Sequence, residues 1–413
     1  MSAETTQRVQ RQFTFKEKLK ALGPGFLIVG SFIGPGTVTS STRAGAEYGY
    51  ALFWCVIFSV IAVIVMQGMA ARLGIITQKG LAENLVIDFQ ERPVLRNILV
   101  GLVAVAITIG GFAYMSGDLT GTAIGISALT GIPTNIVAPS WGVCIMILLY
   151  FCGDAVKYLE KLLGICVIIM AIVFLVTMVV VKPDLAALLS GSFPSIPEGG
   201  LMTCLALIGT TVVPYNMFLH AASAKRTWHS SEEVPLCRFG TNVPMIIGGL
   251  VTGAIMITSA AVMYGMPVRN ALDMAVQLRP TLGSMAEPFM AAGLIAAGVS
   301  SAVCSPIGVS YVLAELFGWK TTGGDKRYTA CNAAVLITGI VIAAMGFNPI
   351  ALIMTAQAVN GIVLPVVVGV TIYLTSRTRI MGDYANSKLE NVLGILIFLV
   401  SLILGLSSAI SVF

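Results

Sequence analysis

Long apolar segments joined by short polar connections constrain the fold of this chain more than any other feature. A membrane core about 30 Å thick takes about 20 helical residues to cross, and eleven segments come close to that length or exceed it. Only 10% of the 413 residues are charged and the mean hydropathy is +0.92, whereas soluble domains carry roughly 25% charged residues. The sequence therefore predicts an all-α integral membrane protein with a single transmembrane domain over residues 1–413.

The connections between the apolar segments are short, so no separate soluble domain is expected. The predicted helices span residues 24–47, 51–76, 96–127, 134–153, 160–181, 200–224, 241–266, 285–317, 328–346, 348–376 and 389–411. Of the polar connections, residues 267–284 have room for a short surface helix.

The distribution of lysine and arginine predicts the orientation, because cytoplasmic loops carry an excess of these residues. With the N-terminus in the cytoplasm, all but four of the 24 basic residues fall on the inner side. The four on the outer side are Arg43, Lys182, Arg269 and Arg279. We therefore expect a multi-pass protein of the plasma (inner) membrane with a cytoplasmic N-terminus and an outer C-terminus.

The first apolar segment is interrupted by Gly34-Pro35-Gly36-Thr37. Proline lacks a backbone donor and disfavours helix at the residue before it, and glycine adds backbone freedom. Unwound backbone at membrane depth is tolerated only where it is buried in protein or lines a wet cavity. The sequence therefore predicts a broken helix that forms one wall of a transport site.

The sixth segment is interrupted in the same way by Val213-Pro214-Tyr215-Asn216. A proline that merely kinks a packed helix is the alternative for either break taken alone. Two breaks at corresponding places in successive five-helix blocks indicate inverted repeats with a substrate site near the midplane. The predicted first repeat covers residues 22–181, the inverted second repeat 200–376, and an extra helix 389–411.

The candidate substrate-binding residues lie on the two breaks and on the tenth helix. They are Gly34, Gly36, Thr37, Thr210, Val213, Tyr215, Asn216, Gln357 and Asn360. The two amides of the tenth helix are one turn apart, so they can face one cavity; hydrogen bonds between helices are the alternative use of such side chains.

Two ionisable residues are candidates for a proton or charge relay. Asp118 lies deep in the third helix, and an acid inside the membrane is costly enough to indicate function; a structural hydrogen bond to a neighbouring Ser or Thr is the alternative. His220 has a side chain with a pKa suited to proton transfer, although a hydrogen-bonded packing role suits it better.

Several stretches resemble the Nramp (natural resistance-associated macrophage protein) family of metal transporters. The resemblance rests on Gly23–Gly25, Ala44–Tyr50, Gln67–Ile75 and Gly209–His220, and the helix count and breaks agree over essentially the whole chain. It implies a leucine-transporter-type fold, with two inverted five-helix repeats, one extra helix, broken helices one and six, and alternating access.

The chain departs from the family at the metal ligands. The family carries Asp-Pro-Gly-Asn in helix one and Met-Pro-His in helix six, where this chain has Gly34-Pro35-Gly36-Thr37 and Val213-Pro214-Tyr215. Helix three of the family has an Asp and, three residues later, a Glu used in proton movement; Asp118 keeps the first and Gly121 replaces the second. The chain is thus identified as a divergent member that retains no family metal ligand at Gly34, Thr37 or Val213.

Two interpretations of the substrate remain open. A divalent ion that keeps most of its water, as magnesium does, needs a roomy cavity lined by hydroxyl, amide and carbonyl groups more than direct ligands, and this interpretation is favoured over manganese or iron. The alternative is a small carboxylate-bearing solute such as an amino acid, bound at the half-helix N-termini. A non-transporting sensor is the third hypothesis.

The remaining expectations concern partners. The predicted partners are a small ion or small molecule and the lipid bilayer, with protons open as a coupling ion through Asp118. No nucleic acid, cofactor or enzymatic activity is predicted, since the sequence has no phosphate loop, nucleophile constellation or zinc motif. The oligomeric state is not indicated.

Overall fold

The computed structural model describes residues 13–151, 153–320 and 324–412, apart from the side chains of Leu27 and of residues 153–162 and 409–412. Within these ranges the chain forms helices and no β-strand. The helices are α1 (Phe15–Phe32), α2 (Pro35–Tyr48), α3 (Phe53–Thr77), α4 (Leu81–Asp88), α5 (Pro93–Thr130), α6 (Thr134–Phe151), α7 (Gly153–Val180), α8 (Leu185–Ser190), α9 (Leu201–Thr211), α10 (Pro214–Thr227), α11 (Val234–Met263), α12 (Ala271–Ala275), α13 (Arg279–Leu282), α14 (Ala286–Phe317), α15 (Lys326–Ala344), α16 (Pro349–Ser376), α17 (Thr378–Met381) and α18 (Lys388–Val412).

The described helices account for the predicted membrane spans. Ten segments are long and apolar enough to cross a membrane, and the pair α1 and α2, bent by 62° at its break, brings the number to eleven. The predicted surface helix within residues 267–284 is present as the short helices α12 and α13. An all-α membrane protein is therefore confirmed.

The largest boundary error lies at the first helix, which begins at Phe15 rather than near residue 24. Thr14 and Glu17 form a capping box, in which the Thr14 hydroxyl accepts from the Glu17 amide at 3.3 Å and the Glu17 carboxylate accepts from the Thr14 amide at 2.7 Å. Two otherwise unpaired donors are thereby satisfied. This cap starts the helix two turns before its apolar portion, which hydropathy alone cannot detect.

Burial separates the central helices from those that face lipid. In the segment formed by α9 and α10, 89% of an apolar stretch of 18 residues is buried inside the protein, compared with 22% for α6. The long helix α5 packs along α14 and α16, while α16 also packs along α9 and α2 packs along α11. Both broken segments therefore lie inside the bundle, against α5, α14 and α16.

Candidate substrate site between the broken helices

In the first break, defined as residues 33–37, backbone groups form hydrogen bonds with nearby residues of the same segment. Gly34 is extended (φ −112°, ψ −174°) and precedes Pro35, the first residue of α2. The Gly34 carbonyl accepts from the amides of Thr37 (3.1 Å) and Val38 (3.2 Å), and the Thr37 hydroxyl donates to the Phe32 carbonyl. The chain thus changes direction at membrane depth with its nearby backbone groups satisfied, as buried backbone requires.

The second break, defined as residues 212–216, has the same construction. Val213 is extended (φ −70°, ψ 121°) and Pro214 is the first residue of α10. The Val213 carbonyl accepts from the Asn216 amide at 3.1 Å. At the end of α9, the Val212 amide donates to the Ile208 carbonyl at 2.8 Å. In both breaks a proline therefore starts the second half-helix, where its missing N–H costs least.

The two breaks meet through Thr37 and Thr210, whose hydroxyl oxygens are 2.9 Å apart. Because the Thr37 hydroxyl donates to Phe32, Thr210 is the donor to Thr37. Gln357 of α16 lies against the same place, since a Cβ built on Gly36 would be 2.1 Å from the Gln357 Nε2 atom. The structure thus brings together Gly36, Thr37, Thr210 and Gln357 from three helices.

Asp118 of α5 lies next to the first break. Its side chain is fully buried; Oδ2 accepts from the Ser301 hydroxyl at 2.8 Å, and Oδ1 has no hydrogen-bond partner among the described residues. A Cβ built on Gly34 would be 3.7 Å from that Oδ1. In the described part of the chain no basic side chain pairs with this carboxyl group. An acid with one open oxygen therefore faces the break.

Further polar atoms near the breaks lack partners. The buried amide groups of Asn216 and Gln357 make no hydrogen bond through either side-chain atom, and the Tyr215 hydroxyl is also unpaired within the described ranges. Each unmet buried polar group costs about 1–3 kcal/mol, and such groups usually have a partner. These unpaired polar atoms make the region where the two breaks meet a candidate binding site.

Tyr215 forms an aromatic wall of the second break. Its ring makes an edge-to-face contact with Tyr114 of α5, with centroids 6.0 Å apart. It also packs closely on Gly308 of α14, where an added Cβ would be 2.6 Å from the ring. Val213 beside it is fully buried and apolar. Neither residue offers sulfur or imidazole to a substrate at the break.

His220 and Asn360 lie outside this group of residues. The His220 Nδ1 atom is 3.0 Å from Gln67 Oε1, and Nε2 is 3.4 Å from the Thr241 hydroxyl, which is the arrangement of a satisfied packing histidine. The Asn360 amide lies against Gly110 of α5 and donates to the Ala356 carbonyl at 3.4 Å. Asn360 thus makes its hydrogen bond within α16, and its side-chain oxygen lies against α5.

Sequence reasoning missed two contributors to the first break. Ser301 was not considered, although hydroxyl residues in the middle of an apolar helix were a signal that could have identified it. Gly121 was noted only for its missing acid. A Cβ at Gly121 would be 2.1 Å from the Pro35 Cβ, so the absence of a side chain there allows the first break to lie directly on α5.

A charged cluster at the far end of α10 was also missed. The Glu315 side chain is only 5% exposed. It accepts from the Tyr311 hydroxyl at 2.6 Å and from Lys225 Nζ at 3.2 Å, and Lys225 is 3.5 Å from Glu83. This cluster ties α10 to α14 and α4 on one side of the site.

Comparisons with solved structures identify the arrangement of helices. A mutant of the manganese transporter of Eremococcus coleocola superposes with a TM-score of 0.78 at 20% identity, covering 97% of this chain and 89% of that one. MhsT in complex with L-phenylalanine superposes with a TM-score of 0.57 at 15% identity, covering 98% and 100%. The leucine-transporter-type fold predicted from the sequence is confirmed.

Sequence comparison is equally extensive. The chain is 26% identical over 406 residues to the divalent metal cation transporter MntH of Yersinia pestis (strain Pestoides F), with 97% of this chain and 96% of that protein covered. The family model described as natural resistance-associated macrophage protein-like matches residues 25–411. With broken helices that carry the two prolines and a match over nearly its whole length, this chain belongs to the natural resistance-associated macrophage protein (Nramp) family.

Proposed function

We propose that the protein is a secondary transporter that moves a small divalent cation across the membrane by alternating access. Relatives that match nearly the whole chain are named divalent metal cation transporter and manganese transporter. The site is formed where the first and second breaks meet through Thr37 and Thr210. The substrate is driven by gradients across the membrane.

The open carboxylate oxygen of Asp118 beside Gly34 carries the proposal. A buried charge without a basic partner is costly, and a bound cation removes that cost. Position 34 carries no side chain, so the Asp118 carboxyl group supplies the negative charge that faces the first break. The sequence makes Asp118 a candidate for a proton or charge relay, and its position 3.7 Å from a Cβ built on Gly34 supports a charge role.

The other groups at the site favour a cation that keeps much of its water. The nearby donors are hydroxyls and neutral amides, namely Thr37, Thr210, Asn216 and Gln357, while Val213 and Tyr215 provide no soft ligand. Within the described residues, no group of three or more His, Cys, Asp or Glu side chains is placed to hold a metal ion. Magnesium is bound by few carboxylates and usually keeps several waters, so it suits this site better than manganese or iron.

The burial of the site is consistent with alternating access. Every residue from Gly34 to Thr37 is buried, as are Thr210 and Gln357, so opening to either side requires helix movement. The charged cluster of Lys225, Glu315 and Glu83 would separate when the α10 side opens. An amino acid substrate ranks second, because its carboxylate at the first break would lie against the Asp118 carboxylate.

The test is transport by the purified protein in liposomes, with magnesium, manganese and a labelled neutral amino acid as separate substrates. We expect magnesium flux, and a loss of at least about tenfold in Asp118→Asn, since a close charge contributes about 1.4 kcal/mol or more. Glu287→Gln, which removes an exposed acid paired with Arg279, is the matched control and keeps its flux. Amino acid flux without metal flux, or manganese uptake stronger than magnesium uptake, contradicts the proposal.

A further inference from the structure

A cavity with a charged end lies away from the broken helices, between α3, α11 and α18. It has a volume of about 150 Å³ and is lined at one end by Arg72, Arg238 and Glu390. We call it the α18 cleft, since it lies where the extra helix meets the rest of the bundle. None of its lining residues belongs to the candidate substrate site.

The charged end of the α18 cleft lies at a membrane boundary. Arg72 is five residues before the end of α3, Arg238 is four residues after the start of α11, and Glu390 is two residues after the start of α18. Three helices therefore end or begin at this level. In the orientation predicted from the basic residues, this is the cytoplasmic surface, where anionic lipid headgroups are found.

Arg72 is held deep in the cleft with an unused donor. Its side chain is only 7% exposed; Nη1 donates to Glu390 Oε1 at 2.7 Å and Nη2 to Asn386 Oδ1 at 2.6 Å. The Nε atom is buried and has no hydrogen-bond partner within the described ranges. A buried N–H of a cation is costly to leave unpaired, so an acceptor from outside the chain is indicated.

The cleft also carries an excess of positive charge. Arg238 is 61% exposed and lies 3.8 Å from the same Glu390 oxygen that Arg72 uses. One carboxylate thus serves two guanidinium groups, and the distance to Arg238 is too long for a hydrogen bond. Arg238 keeps its donors available at the mouth of the cleft, where they suit an anionic group.

Away from the arginines, the α3 wall of the cleft is apolar, with Ile64 and Val65, whereas the α11 wall carries Thr241 and Asn242. Gly68 opens it further, since a Cβ built there would meet nothing within 4 Å. A ligand suited to this cleft has an anionic head at the membrane surface and an apolar portion that extends from the cleft along α3. These are the properties of a phospholipid.

We propose that the α18 cleft binds an anionic phospholipid, with its phosphate between Arg238 and the Arg72 Nε atom and an acyl chain along Ile64 and Gly68. Basic pockets between transmembrane helices are known to hold anionic headgroups. The bound lipid joins α18 to α3 and α11. The proposal does not depend on which substrate the protein carries.

Native mass spectrometry of the full-length protein in detergent tests this inference, with dioleoyl phosphatidylglycerol and dioleoyl phosphatidylcholine as probes. Phosphatidylglycerol is expected to bind more tightly, and Arg238→Gln to weaken it about fivefold, the effect of one basic residue at an anionic membrane surface. Arg327→Gln is the matched control, because Arg327 is 64% exposed, close to the value for Arg238, and lies outside the cleft. It keeps the affinity of the unmodified protein.

A second variant separates lipid from free phosphate. Gly68→Leu fills the apolar part of the cleft, so it should weaken phosphatidylglycerol binding while Arg238 remains in place. Inorganic phosphate should compete poorly, since it cannot occupy the apolar walls. Equal binding of the two lipids, equal losses in Arg238→Gln and Arg327→Gln, or displacement of the lipid by inorganic phosphate at comparable concentration would each overturn the proposal.

Discussion

The two breaks share a backbone design but differ in what surrounds them. Each has an extended residue, then a proline that starts the second half-helix, and a hydrogen bond from the amide three residues on to the carbonyl of the extended residue. The first break faces a carboxylate, Asp118, and a hydroxyl, Ser301. The second carries the aromatic ring of Tyr215, which packs on Tyr114. Two breaks of the same backbone geometry therefore differ in their surroundings, with the Asp118 carboxyl group beside the first and neutral surface beside the second.

The breaks also differ in how they contact α16. A Cβ at Gly209, just before the second break, would be 2.0 Å from the Gln357 carbonyl oxygen and 2.6 Å from the Gly361 amide nitrogen. At Gly36, in the first break, the obstacle is the end of the Gln357 side chain. The end of α9 just before the second break thus packs against the α16 backbone, which cannot move aside. The first break packs against the Gln357 side chain, which can move.

The largest effect in this comparison is expected for Gly209→Ala. Overpacking typically costs 1–3 kcal/mol, and the rigid obstacle places this substitution near about 3 kcal/mol. The measurement is the thermal unfolding of the purified protein in detergent. Gly30→Ala, at a helical glycine with open space around its Cβ position, serves as the control. If the two variants unfold at the same temperature, the close backbone contact at the second break is not present.

The next effect concerns charge at the first break. Gly34 is extended, a conformation that any residue can adopt, and an added Cβ would be 3.3 Å from the Ser301 hydroxyl. Gly34→Asp should therefore be accommodated by a small shift of Ser301. It places a second carboxylate near Asp118, so we expect manganese to bind at least about tenfold more tightly, because a divalent ion that has lost its water needs anionic ligands.

Gly34→Asn has nearly the same shape without the charge and is the control for that experiment. Binding is measured by isothermal titration of the detergent-solubilised protein with manganese. If Gly34→Asn binds manganese as tightly as Gly34→Asp, the effect comes from added oxygen ligands and not from charge, and Asp118 does not act on position 34.

The helices and both breaks could be predicted from the sequence, because each depends on local signals. Runs of apolar residues fix the spans, and glycine and proline mark the breaks within a few residues. The start of α1 was missed because the cap formed by Thr14 and Glu17 extends a helix through polar residues. The fold was therefore largely predictable from hydropathy and helix-breaking residues.

The site was less predictable, because its contacts join residues far apart in the chain. Asp118 and Gly34 were each singled out, but no sequence pattern places one beside the other or adds Ser301 to the pair. The sequence left open whether Asn360 shares a cavity with Gln357 or forms hydrogen bonds between helices. The close approach of α5 at Gly110 to the Asn360 side chain is visible only in the structure. Residue type indicated candidates, and helix packing selected among them.

A smaller effect is expected for the hydrogen bond that joins the two breaks. Thr37→Val and Thr210→Val each remove one hydroxyl of the pair that is 2.9 Å apart. A double-mutant cycle on thermal stability should give a coupling of about 1 kcal/mol, the net value of a typical hydrogen bond. Thr211→Val is a control next to Thr210, since the Thr211 hydroxyl donates to the Leu207 carbonyl within its own helix. Additive losses in Thr37→Val and Thr210→Val would mean that the breaks are not joined there.

The smallest effect on stability is expected for Gly36→Ala, although its added Cβ would be as close to a neighbour as the one at Gly209. The neighbour is the Gln357 amide, which has no hydrogen bond to lose within the described residues, so it can turn aside at a cost of about 0.5 kcal/mol, the low end for a strained rotamer. Transport should fall more than stability, because Gln357 leaves its place at the junction of the breaks. The comparison requires both measurements on one preparation. A loss of stability as large as that of Gly209→Ala would show that the first break is held as rigidly as the second, and the difference between the two breaks would then lie in charge alone.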